Sequence, residues 1–215
     1  MDIERYLQRD NRIILVLGAT EQHAYLSVMT DVLITNQIAQ AVAQRTGILI
    51  APSLPFGISG QFSDFPGTIS LSQLTFDAVV MEVIESLLHQ GFRRFLIING
   101  HDSNRPPQRL RDLEMDGLLR VAWFDWWHSA AARHHEDTYG LRIDHANWSE
   151  NYAFTRIHEC PSEPKPLVNL DVDSISLRDS LGDGSFGGLY EVAPEVMQTL
   201  LTGLEDEATR LLLAL

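Results

Sequence analysis

Four short apolar runs punctuate the chain, and stretches of helical period alternate with them. The first run, Arg12-Ile13-Ile14-Leu15-Val16-Leu17, ends at Gly18. The second, Gly47-Ile48-Leu49-Ile50-Ala51, stops at Pro52. The third is Arg94-Phe95-Leu96-Ile97-Ile98-Asn99 and the fourth Leu119-Arg120-Val121-Ala122-Trp123-Phe124. Short continuous apolar runs closed by Gly or Pro read as buried strands. Between them, Val32, Ile34, Ile38, Val42 and Ala43 fall near helical spacing and predict a helix from Asp31 to Thr46. Phe76, Val79, Val80, Val83, Leu87 and Leu88 form one stripe and predict a helix from about Ser72 to Gln90, closed by Gly91 as a C-cap glycine. Further helices are expected over Asn104 to Asp116, Ser149 to His158 and Pro194 to Leu213. Pro52 to Leu71 should be a long loop, Trp126 to Asn147 a loop or partly helical excursion, and Cys160 to Tyr190 mostly irregular. Strands that are continuous apolar runs, alternating with helices, indicate an α/β fold whose parallel sheet is covered on both faces.

At 215 residues the chain suits a single domain spanning residues 1–215. Its apolar fraction of 45% and charged fraction of 21% are those of a soluble globular protein. No apolar run approaches the roughly 20 residues that span a bilayer, so no membrane partner is expected. The net charge of −13 repels phosphate backbones and anionic lipids, which argues against a nucleic-acid partner. The opening Met1-Asp2-Ile3-Glu4-Arg5 lacks the basic-then-apolar layout of a signal peptide. With one cysteine, Cys160, no intrachain disulfide can form, and a reducing cytoplasm is the expected location.

Open α/β sheets bind ligands beyond the carboxyl ends of their strands. Three polar groups fall there. Gly18-Ala19-Thr20-Glu21-Gln22-His23 follows the first strand, Asn99-Gly100-His101-Asp102-Ser103-Asn104 the third, and Asp125-Trp126-Trp127-His128 the fourth. Glu21 and His23 stand two apart, so in extended chain they share a side. Asp31 opens the next helix, where it is either a helix cap or a ligand. Two histidines and two carboxylates converging on one sheet edge point to a metal site, and an N/O donor set suits Zn2+, Mn2+ or Fe2+.

These residues resemble a known family. Thr20-Glu21-Gln22-His23 with Thr30-Asp31 is similar to the opening metal motif of the creatininase (creatinine amidohydrolase) family. Phe65-Pro66-Gly67-Thr68-Ile69-Ser70-Leu71 resembles its FPGT loop, and Gly91-Phe92-Arg93-Arg94 leading to Asn99-Gly100-His101 its GFRR…NGH segment. Asp144-His145-Ala146-Asn147-Trp148-Ser149-Glu150 resembles its HAGxxE motif, with Asn147 in place of the glycine. The resemblance runs over roughly residues 12 to 155 and implies a three-layer α/β/α sandwich, two divalent metal ions and a homo-oligomer, often a hexamer. It implies Glu21, His23, Asp31 and His101 as metal ligands, with Asp31 as the bridge. Glu150 is the expected fifth ligand, because Ser103 stands where creatininase carries a carboxylate. Asp102 is the rival for that role.

The resemblance implies hydrolysis of a C–N amide-type bond of a small molecule through a metal-bridging hydroxide, with His145 contacting substrate or moving a proton and Glu150 beside it. The alternatives are a hydrolase of a cyclic ketone C–C bond, a peptide-trimming relative, or a non-catalytic metal-binding protein. Ala24-Tyr25-Leu26 replaces the Gly-Pro-His that follows Glu-Gln-His in many relatives, and the stretch from His23 to Asp31 is one residue shorter than in creatininase. Both changes argue against creatinine as the substrate. Trp126, Trp127 and Trp148 are read as pocket walls or sheet-packing aromatics. His134, His135 and Glu136 are read as a solvated face, and the glycine-rich stretch 182–188 as a loop at the site rim or a subunit contact.

Overall fold

Residues 13–17 and 95–99 are buried without a break, as strands covered on both faces must be. They belong to the two central strands, β1 (Arg12–Leu17) and β3 (Arg94–Asn99). Strands β2 (Leu49–Ile50) and β4 (Arg120–Asp125) are only partly covered and form the edges. The computed structural model, which describes residues 3–168 and 176–215, arranges them in the order β2-β1-β3-β4, every pair parallel. Among the described residues, seven α-helices accompany the sheet: α1 (Ile3–Leu7), α2 (Thr30–Thr46), α3 (Gln73–Gln90), α4 (Gln108–Met115), α5 (Ala130–Tyr139), α6 (Leu177–Leu181) and α7 (Pro194–Ala214).

Helix α2 packs on β1, and α7 packs on α2, β3 and β4, with α5 against α7. The chain steps outward from β1 to β2 and then returns past β1 to β3. Right-handed crossovers therefore set α3, and α4 after it, on the opposite face. The expected three layers result. Ile34, Ile38 and Val42 of α2, Phe76, Val80 and Ile84 of α3, and Leu200, Leu204 and Ala208 of α7 join one core with the sheet. Each fully buried aliphatic or aromatic side chain contributes about 1.5–3 kcal/mol by leaving water. Among the described residues, no helix is long and apolar enough to cross a membrane.

Several boundaries differ from expectation. Strand β2 is shorter because Gly47 is the left-handed C-cap of α2, its N–H bonded to Ala43 O. Helix α4 begins at Gln108, four residues late. Pro106 and Pro107 hold the preceding backbone extended, and the Asn104 side chain is already committed to Ile58 N, Gly18 O and Asn99 Oδ1. The helix expected over Ser149 to His158 does not form. Its start is a single 3-10 turn, Trp148–Glu150. Thr155 Oγ1 then donates to Glu150 O and accepts from Tyr152 N, and the chain turns to pair with residues 25–27. Side chains that bond nearby backbone in this way compete with a helix. Helices α1 and α6 were not expected.

The solvated-face reading of His134, His135 and Glu136 is also corrected. They lie on α5, and His135 faces inward, 3% exposed, stacked on Trp148 at 5.8 Å. Glu136 accepts the N–H of Ile143, fixing the chain beyond the helix. Of the three, only His134 is exposed.

Candidate metal centre

Beyond β1 the chain makes a tight loop. Glu21 N–H donates to Val28 O and Leu26 N–H to His23 O, with Ala24 in the left-handed region at φ 51°. The loop turns Glu21 and His23 inward, where they are 1% and 0% exposed. Asp31 sits in the first turn of α2, behind Met29 at the N-cap, and makes no capping bond. The capping reading of Asp31 therefore fails, and its buried carboxylate is turned toward two imidazoles.

Beyond β3, Asn99 braces the turn that carries His101. Its amide donates to His101 O at 2.8 Å and to Asp125 Oδ1 at 2.7 Å, and its Oδ1 accepts from Asn104. Gly100 lets this turn press on α2: a Cβ there would lie 2.4 Å from Asp31 O. The sequence Asn-Gly-His is thus a brace, a close approach and a displayed imidazole.

The buried groups meet in overlapping sets whose donor atoms lie within 4.8 Å of one another: Glu21, Asp31 and His101; His23, Asp31 and Glu150; Glu21, His23 and His145. Asp31 Oδ1 is 3.0 Å from His23 Nε2, and Oδ2 is 3.2 Å from His101 Nδ1. Glu21 Oε1 is 3.2 Å from His101 Nδ1 and 3.5 Å from His145 Nδ1. Glu150 Oε2 accepts the Ala146 N–H at 2.7 Å and stands 3.7 Å from His23 Nε2. Glu21 Oε2, His23 Nε2 and Asp31 Oδ2 are buried with no hydrogen bond of acceptable geometry, an arrangement that suits a cation between them.

Each imidazole is held from behind by a backbone carbonyl. His23 Nδ1–H donates to Glu21 O at 3.0 Å, His101 Nε2–H to Ile58 O at 2.9 Å and His145 Nε2–H to Gln22 O at 2.9 Å. A carbonyl can only accept, so the opposite ring nitrogen faces the carboxylates and, once deprotonated, has its lone pair free for a cation. Such backing of the distal nitrogen is characteristic of metal-binding histidine.

Without a metal, the carboxylates hold protons on two of these rings. Burial works against a charged His23, but Asp31 and Glu150 overcome it and push its pKa up to about 10. His101 is likewise raised well above its ordinary value against burial, by Glu21 and Asp31. Burial also opposes charge on Asp31, yet the two imidazoles hold its carboxyl far below the usual range. Glu150 goes the other way, up to about 7, chiefly through burial. His145 is pushed down to about 4 by burial and by His23.

The cleft over these groups has a volume of about 280 Å³. Trp126 and Trp127 wall it, while Trp148 is buried elsewhere and bonds Arg142 O. Asp102 reaches the rim, but its carboxylate is 68% exposed and paired with Arg105, outside the buried cluster. The glycine-rich stretch does lie at the rim. Asp183 O accepts from Gln22, and Phe186 packs 5.4 Å from the His145 ring. Sequence reasoning missed Gln61, Phe62, Arg142 and Phe186. Phe62 stacks on His145 at 4.7 Å, and the other three line the cleft. They sit in segments with no periodicity, so nothing short of the fold placed them.

Buried carboxylates and imidazoles at the carboxyl edge of a parallel sheet define an α/β protein with a candidate metal-binding hydrolase site. The chain belongs to the creatininase (creatinine amidohydrolase) family, whose sequence profile matches residues 1–159. It is 38% identical over 129 residues to a creatinine amidohydrolase from Pseudomonas putida, covering 54% of this chain and 50% of that one. It is 32% identical over 117 residues to a mycofactocin precursor peptide peptidase from Mycobacterium ulcerans, covering 49% and 46%. The chain thus spans about half the length of the curated relatives it matches. Its fold is that of a solved creatininase described as the manganese form, with a TM-score of 0.77 at 22% identity, over 98% of this chain and 94% of the other.

Proposed function

We propose that this chain hydrolyses a C–N amide bond of a small molecule with the help of two divalent ions that share Asp31. The observation that carries this reading is the presence of Asp31 in both carboxylate–imidazole sets, one oxygen facing His23 and the other His101. Glu21 and His101 would complete one site around it, and His23 and Glu150 the other. The oxygen and nitrogen donors suit Zn2+, Mn2+ or Fe2+. When bound, such ions would lower the pKa of a coordinated water and polarise an amide carbonyl.

The remaining chemistry falls to the chain. His145 moves the proton. Its Nε2–H is committed to Gln22 O, so Nδ1 faces the cleft as an acceptor, the form a base needs. It takes a proton from the attacking water, Glu21 Oε1 at 3.5 Å steadies the imidazolium, and the proton passes to the leaving nitrogen. The C–N bond breaks, the hydroxyl remains on the carbonyl carbon, and the nitrogen departs as an amine. Phe62 and Phe186 flank the His145 ring and fix its plane. The cleft volume, about 280 Å³, falls just below the roughly 300–1,000 Å³ usual for small-molecule sites, which favours a small amide over a peptide.

Metal analysis of the purified protein, with turnover of a panel of formamides, lactams and linear amides before and after chelation, tests this reading. Two ions per chain are expected, with hydrolysis lost on chelation and restored on reloading. Full activity in a metal-free protein would overturn the reading, as would a loaded protein inert to the whole panel.

A further inference from the structure

Among the described residues lining the cleft, Arg142 is the one arginine or lysine, in a chain whose net charge is −13. Its position is built rather than incidental. The carbonyl of Arg142 accepts from Asn147 Nδ2 at 3.0 Å and from Trp148 Nε1 at 2.8 Å, and both donor residues are buried. Asn147 is the residue that stands where the HAGxxE motif has glycine, so this tether belongs to this chain's own sequence. The guanidinium is held too. One nitrogen lies 2.6 Å from Asp144 Oδ2, and Asp144 is in turn fixed by the His145 N–H at 2.9 Å. The other guanidinium N–H groups meet no acceptor among the described residues, and the side chain is 65% exposed at the cleft.

Charge balance points the same way. Five carboxylates line the cleft: Glu21, Asp31, Asp102, Asp144 and Glu150. Asp102 is paired with Arg105 and Asp144 with Arg142, so two divalent ions would exceed the three remaining carboxylates, Glu21, Asp31 and Glu150, by one positive charge, and a loaded cleft could accept an anion. A planar guanidinium with open N–H groups is suited to a carboxylate, which it can grip with two parallel bonds.

We infer that the substrate is an anionic amide, with a carboxylate that Arg142 binds at the mouth of the cleft while the amide carbonyl lies over the buried cluster. This inference deepens the proposed hydrolase reading and rests on it. Arg142 would act in specificity, not in the proton transfers assigned to His145.

The test uses the metal-loaded protein and matched pairs: N-formyl- and N-acetyl-amino acids and pyroglutamate, each against its neutral carboxamide. Both binding, by calorimetry, and kcat/KM are measured for the wild type, Arg142→Gln and Arg142→Lys, with metal content checked in each. The wild type should bind the acid of each pair at least about tenfold more tightly than its amide, as removal of a charge-assisted pair implies. In Arg142→Gln that ratio should fall at least fivefold with metal content unchanged, and Arg142→Lys should recover part of it. Equal binding of acid and amide by the wild type, or an unchanged ratio in Arg142→Gln, would overturn the inference. Loss of turnover across the panel with the acid preference intact would count against the hydrolase reading alone, so the two failures are distinguishable.

Discussion

Replacing Glu150 with glutamine should raise the stability of the metal-free protein and lower that of the loaded one. In the structure the Glu150 carboxylate is 7% exposed and accepts a single backbone bond, from Ala146 N–H, which a glutamine carbonyl can also accept. Burial raises its pKa from 4.5 to about 7, and Asp31 adds to the effect, against the pull of His23. A carboxyl whose folded pKa lies above its unfolded one binds more protons when folded, so its burial costs nothing below about pH 4.5 and progressively more as pH rises to 7. At about 1.4 kcal/mol for each tenfold change, the full cost above pH 7 is on the order of 3 kcal/mol. Glutamine carries no such cost. Chemical denaturation in the presence of chelator should therefore show Glu150→Gln more stable than wild type by up to that amount at pH 8, with the gap closing toward pH 5. Loading reverses the order. A site held at a free metal concentration about 1,000-fold above its Kd contributes roughly 4 kcal/mol, and the variant loses one of two sites. Its metal content should fall from two ions to one. A variant less stable than wild type at pH 8 in chelator would refute the account of Glu150 as an ion buried at a cost. A variant that still holds two ions would refute its role as a ligand.

Asp31→Asn should cost both ions rather than one, because Asp31 belongs to both sets, and metal analysis of this variant beside Glu150→Gln separates a shared ligand from an unshared one. Loading at pH 7.5 should release protons, since His23, with its pKa near 10, must give one up before its Nε2 can bind a cation; the apparent affinity should rise with pH, and calorimetric heats independent of buffer ionisation would contradict it. Ala24→Gly should stabilise the protein by about 0.5–1 kcal/mol, the cost of a left-handed Ala less the added chain entropy of glycine; a lowered melting midpoint would show that the Ala24 methyl group contributes more than the backbone strain costs.

The elements that periodicity located are those whose stability comes from burial of a continuous face. Strands β1 and β3, and helices α2, α3 and α7, lie within one or two residues of their expected bounds because core contact and local pattern agree there. Departures occur where side chains rather than the core decide the backbone. Asn104 delays α4, and Asn147 and Thr155 replace the expected helix after Ser149 with turns. His135 shows the converse limit. On sequence it belongs to a polar triplet, yet α5 turns it under Trp148, and only a helical reading of that stretch would have separated it from His134.

The candidate site divides along the same line. Glu21, His23, Asp31 and His101 were legible because strand ends and a helix start, the best-predicted points of the chain, carry them. His145 and Glu150 were legible only through resemblance, since their segment has no regular structure to place it. What neither route supplied is the set of carbonyls behind the imidazoles: Glu21 O, Gln22 O and Ile58 O. Backbone oxygens have no sequence signature, yet they decide which nitrogen of each ring faces the carboxylates. Two of the three come from the loop that already supplies Glu21 and His23, so that loop sets both the placement of these candidate ligands and the tautomers of His23 and His145. The change from Gly-Pro-His to Ala24-Tyr25-Leu26 falls in the same loop. Ala24 takes up a backbone conformation natural to glycine, and the loop carbonyls back the His23 and His145 imidazoles. Tyr25 turns away from the cleft, bonding Tyr190 O at 2.6 Å. The substitutions after His23 thus lie beside the buried cluster rather than in it, as Arg142 and Asn147 also do.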